Sequence, residues 1–178
     1  SIKPMFQSTL FRHAVWAGLF CFLPLSCTTD TPRSVSLSQT FPATSQVNIT
    51  FKEQEIPGQC RVFSHLLVSI PPTMSESTIK DSVERFAMES GADYILVGMT
   101  RESDEEVEDI YFRSYGPQSP YSFKSRWQGW KFGFRDWNNA GPLVDYGSNR
   151  LSGDKPAFDT EVTAQAVLLN CQLGPSKQ

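Results

Sequence analysis

The chain has 178 residues, of which 39% are hydrophobic and 12% aromatic, and a formal net charge of −3. That acidic balance excludes ordinary nucleic-acid binding, because phosphate contacts need clustered Lys and Arg. With only two histidines and four cysteines, and none at zinc-ligand spacing, no metal site and no cofactor are expected.

Ala14 to Leu25 is an apolar run of twelve residues, with Lys3, Arg12 and His13 before it and no acid before Asp30. A basic start, a short apolar middle and a small residue at the end form the layout of a secretory signal peptide. Residues 1–27 are assigned to it. As a helix the run reaches roughly 18 Å, against about 30 Å of bilayer hydrocarbon, so it is too short for a comfortable span. Without Lys3 and Arg12 the remainder holds 14 Lys and Arg against 19 Asp and Glu, a net of −5.

Pro24-Leu25-Ser26-Cys27 resembles the lipobox of bacterial lipoproteins. Ser26 and Cys27 match it; Pro24 and Leu25 depart from the aliphatic-then-small preference. The resemblance implies that Cys27 carries diacylglycerol and becomes the new N-terminus. Ordinary cleavage near Ser26 and an uncleaved anchor are the alternatives. Each buried methylene contributes about 0.8 kcal/mol, and two or more acyl chains give stable attachment. Thr28 stands where an Asp would direct inner-membrane retention, so the resemblance implies the outer membrane, facing the periplasm.

Residues 28–46 contain eleven Ser, Thr or Pro in nineteen positions, which predicts a disordered tether. Phe41 is the residue that could instead anchor this arm to the domain. Residues 47–178 form one domain of ordinary size. Once Cys21 and Cys27 are set aside, Cys60 and Cys171 are the remaining pair. In an oxidising compartment they are expected to form a disulfide, the alternative being two small buried thiols.

Val47 to Phe51 alternates as a half-buried strand, and Cys60 to Ile70 is a long apolar strand containing His65, read as a satisfied or surface residue. Pro71-Pro72 ends it. Thr73 or Ser75 then caps a helix, and Thr73 with Glu76 has capping-box spacing. Ile79, Val83, Phe86 and Ala87 make its apolar face, and Gly91 its stop. Tyr94 to Val97 is a buried strand, giving a βαβ candidate. Thr160 to Cys171 is the last strand, with Val162, Ala164, Ala166 and Leu168 on one face. The class is therefore α+β: a small mixed sheet, one main helix, a βαβ element, a terminal strand and an aromatic-rich hairpin inserted at about 101–158.

Cys60, the stretch Glu89-Ser90-Gly91-Ala92-Asp93-Tyr94-Ile95-Leu96-Val97 and Ala166-Val167-Leu168-Leu169-Asn170-Cys171 together resemble small envelope lipoproteins of the RcsF type. The likeness covers about forty scattered residues. It implies a compact α/β domain with disulfides that works through partner proteins. That family carries a second cysteine pair, which this chain lacks, and has no long middle insertion.

Arg101 to Asp109 holds six acids in nine residues and is expected to be a solvated loop. Tyr111 to Trp137 follows, with ten aromatics in 27 residues. Trp130, Phe132 and Phe134 alternate with Lys131, Gly133 and Arg135, which predicts a strand. Trp127, Trp130, Phe132, Phe134, Arg135 and Trp137 are the candidate surface for a protein partner or a glycan, the alternative being a face packed on the core. No nucleophile motif, zinc motif or phosphate loop occurs, so no catalytic residue is assigned and the chain is not expected to be an enzyme. The expected role is a membrane-anchored interaction or structural module of the cell envelope, with a glycan- or peptidoglycan-binding (or glycan-cleaving) protein as the alternative.

Overall fold

The computed structural model describes residues 41–127, 129 and 134–173. All belong to the second of two units into which the chain divides, Ser34–Gln178. The signal peptide, Cys27, most of the tether, Trp130 and Phe132 lie outside the described residues.

The fold is α+β, built on one seven-stranded mixed sheet. The strands are β1 (Asn48–Thr50), β2 (Arg61–Ile70), β3 (Tyr94–Glu102), β4 (Tyr111–Tyr115), β5 (Tyr121–Ser122), β6 (Leu143–Val144) and β7 (Val162–Asn170). The helices are α1 (Glu76–Glu89), α2 (Phe123–Arg126) and α3 (Phe134–Asn138). The order is β1-β3-β7-β2-β4, with β5 on β2 and β6 on β3. β7 lies between β2 and β3 and runs antiparallel to both, so those two strands are parallel but not neighbours. The expected βαβ element is therefore split, with the terminal strand inserted into it.

β2 and β7 are covered on both sides, and this decides their composition. Phe63, Leu66, Val68 and Ile70 of β2 join Val162, Ala164, Ala166 and Leu168 of β7 beneath α1. Val62, Leu96, Val167 and Leu169 face the other way, against Ile56, Cys60 and Phe123. Strict alternation would set Ser64, not Phe63, two places before Leu66. The register shift between Val62 and Ser64 absorbs the difference as a bulge.

α1 buries Ile79, Val83 and Ala87, the stripe expected from helical spacing. Its N-cap is Ser75, whose hydroxyl accepts from Thr78 N at 3.2 Å. The Thr73–Glu76 box does not form. Instead the loop before β7 docks there: Glu76 N donates to Lys155 O and Ser77 N to Gly153 O. The Glu76 carboxylate accepts from Gly153 N at 2.8 Å. At the other end Gly91 has φ +82°. Ala92 N bonds to Ala87 O at 2.9 Å and Gly91 N to Met88 O at 3.0 Å, a Schellman stop.

Phe41 to Gln46, the end of the expected tether, lies on the domain. Phe41 packs edge-on against Phe63 with centroids 4.9 Å apart. Thr44 N donates to Met88 O at 3.0 Å, and its hydroxyl to Ala92 O at 2.7 Å. A Cβ on Gly91 would come within 2.6 Å of Phe41 Cβ and 2.8 Å of Pro42 O. Gly91→Ala is thus strained twice, by its φ and by the arm, and is expected to cost about 2 kcal/mol. Thermal unfolding checks this, and a fall below about 0.5 kcal/mol would contradict it.

Among the described residues, β4 and β5 of the insertion do not pair with each other as a separate hairpin. β4 and β5 both pair with β2, one after the other, as a single interrupted strand. Pro117 and Pro120 fall in the gap, where missing N–H groups break the ladder. Phe134, expected in a strand, begins the short helix α3.

Candidate functional site

Arg61 pairs with Asn170 across β2 and β7, so the residues just outside them, Cys60 and Cys171, stand opposite one another. They are joined as a disulfide, with sulfurs 1.96 Å apart and 111 positions between them in sequence. Cys60 is buried and Cys171 half-buried. Two residues that the sequence did not single out for this role hold the cysteine end in place. The Asp93 carboxylate accepts from Cys171 N at 2.6 Å and from Gln172 Nε2 at 3.5 Å. Asn170 Oδ1 accepts from Gln172 N and Leu173 N, while its Nδ2 donates to Gly91 O at 2.8 Å. The helix stop, the start of β3 and the end of β7 are thereby tied into one corner.

Of the candidate aromatic surface, Trp127, Arg135 and Trp137 have described side chains, and they differ in exposure. Trp137 is 3% exposed. The Arg101 guanidinium lies 4.8 Å from its ring centroid, and Arg101 Nη1 donates to its carbonyl at 3.5 Å. Arg135, two residues earlier, projects outward with a side chain 75% exposed. That division follows from α3 being helical, since neighbouring residues on a helix point in different directions. Asp136 accepts from the Tyr115 hydroxyl at 2.6 Å. Burial, then this carboxylate, holds the Tyr115 phenol well above its usual range.

Trp127 is half-buried. Its Nε1 donates to Glu53 Oε1 at 2.8 Å. Its ring stacks on Phe123 at 5.4 Å and on His65 at 6.1 Å. His65 is 2% exposed, and its Nε2 shares a 3.0 Å hydrogen bond with the Tyr121 hydroxyl. Burial among these rings disfavours the imidazolium and lowers the His65 pKa to about 4. His65 is therefore a neutral core residue at neutral pH.

Beside it, pairing places Arg101, Thr163 and Ser69 in one row across the sheet, and Gln165, Leu67 and Arg113 in the next. Arg113 donates to Glu105 at 2.9 Å and to the Ser69 hydroxyl at 3.2 Å. Glu105 lies in the solvated loop, as expected, and from there braces β4. Gln165 Oε1, Arg101 Nε and Arg113 Nε are buried without a hydrogen-bond partner. Among the described residues no group of three or more His, Cys, Asp or Glu could hold a metal ion.

Next to the disulfide corner is an open cleft of about 640 Å³. The arm residues Phe41 to Gln46 form one wall, Asn170, Gln172 and Leu173 the other, with Asn48 and Asp93 between them. Nothing in the sequence pointed to this cleft, because its residues are common types, mostly polar, drawn from three separate stretches. Compared with known proteins, the chain matches no family model, no curated protein and no solved structure.

Proposed function

We propose that this chain is a cell-envelope lipoprotein. In this reading Cys27 carries the lipid, the outer membrane holds the domain on its periplasmic side, and the domain serves as an interaction module for another envelope protein. The observation that carries the reading is the Cys60–Cys171 bond, because such bonds persist in oxidising compartments and are rare in the cytosol. The signal-like N-terminal run and the likeness to RcsF-type lipoproteins support the same address. A second reading, glycan binding, is favoured by the polar cleft rather than by the aromatic segment, since Trp137 is buried.

Cys27→Ser tests the anchor. It removes the acyl acceptor and leaves the domain sequence unchanged. The variant is expected to leave the membrane fraction and appear in the soluble periplasmic fraction. A variant that still sediments with membranes, at the wild-type proportion, would overturn lipid anchoring through Cys27.

A further inference from the structure

We infer that the cleft beside the disulfide corner is a binding site for a neutral oligosaccharide. This deepens the glycan reading and does not depend on the lipid anchor. The volume, about 640 Å³, falls in the range of roughly 300–1,000 Å³ that suits small-ligand sites. Gln46, Asn48 and Gln172 line it with exposed side-chain amides, each a donor and an acceptor type, while the buried Asn170 amide is committed to Gly91 O and to the N–H groups of Gln172 and Leu173. Such pairs match vicinal hydroxyls. Gln46 and Asn48 are exposed, and the Gln46 side chain makes no hydrogen bond to another described residue. Among the described residues, Asp93 is the one charged side chain in the lining. Its carboxylate accepts two hydrogen bonds already, and a carboxylate has about four lone-pair positions. It can take further hydroxyl donors and would repel an anionic ligand. Phe41 adds an apolar ring at the same wall.

The cleft suits a sugar better than a peptide strand, because most of its main-chain donors are already used, those of Ala43, Ser45 and Gln46 excepted. Thr44 N, Asn48 N and Asp93 N bond to Met88 O, Asp93 O and Leu169 O. Cys171 N, Gln172 N and Leu173 N bond to Asp93 and Asn170 side chains. A bound peptide would find few backbone partners for a ladder. A sugar needs side-chain amides and a carboxylate, which are what the walls supply.

The test uses the full chain, isotope-labelled, in a detergent without sugar headgroups. Chitotetraose, maltotetraose and tetra-alanine are titrated separately and followed by amide chemical shifts. At least one saccharide is expected to give saturable shifts centred on residues 44–48, 93 and 170–173. Asn48→Ala with Gln172→Ala is expected to weaken that binding at least tenfold, while Lys155→Ala, exposed and outside the cleft, leaves it unchanged. Asp93→Asn gives a second reading with little change of shape, and is expected to weaken binding as well. No saturable shift with either saccharide would overturn the inference. So would shifts centred elsewhere, or tighter binding of tetra-alanine, which would make the cleft a peptide site.

Discussion

Replacing both Cys60 and Cys171 with alanine is expected to lower the unfolding temperature by about 10–15 °C. The bond spans 111 positions. In the chain-entropy model a closed loop of that size contributes about 4–5 kcal/mol, with measured values often lower. The corner around it amplifies the effect. Asp93 and Asn170 bind the backbone of residues 171–173, so a loosened Cys171 takes several hydrogen bonds with it. Reductant added to the native protein should produce the same shift as the double substitution. An unfolding temperature within about 2 °C of the native value would show that the Asp93 and Asn170 bonds hold this corner alone.

Acid should destabilise the domain through His65. Its pKa lies near 6.5 in an unfolded chain and at about 4 in the folded one. Between those values the unfolded chain binds a proton that the folded chain refuses, so acid favours unfolding. The stability from a neutral His65 is complete above about pH 6.5 and is lost as pH falls towards 4, to the extent of about 3 kcal/mol. His65→Phe keeps a ring between Tyr121 and Trp127 and removes the titration. Its stability should therefore change less than the native protein's between pH 6.5 and 4, as measured by denaturant unfolding at each pH. Parallel curves for the two proteins would contradict this account of His65.

Much of the sheet was legible because local pattern and global pairing agree. Val162, Ala164, Ala166 and Leu168 fall on one face of β7 as the alternation requires, and Gly91 stops α1 where its freedom is needed. The disulfide was legible because reading the N-terminal run as a signal sets the other two cysteines aside. What was hidden is non-local. No periodicity shows that β7 will insert between β2 and β3. The cap of α1 depends on carbonyls from residues 153 and 155, about 80 positions away, and no box motif encodes them.

Composition misled at two places. Phe41 to Gln46 reads as tether by its Ser, Thr and Pro content, yet Phe41 finds Phe63 and Thr44 finds the α1 terminus. The aromatic segment reads as a strand because Trp130, Phe132 and Phe134 alternate. A run that short cannot separate strand from helix, and Phe134 opens a helix. Aromatic rings drew attention to residues 127–137, where Trp137 is core. The cleft residues have no sequence pattern of their own and come together only when the corner assembles.

Intact mass of the protein extracted from membranes, with and without reductant, tests the envelope reading most directly. The account predicts a chain beginning at Cys27 that carries acyl mass. It also predicts a deficit of two hydrogens that reductant restores, from the Cys60–Cys171 bond. A chain without acyl mass, or one whose two cysteines are free thiols before reduction, would contradict it.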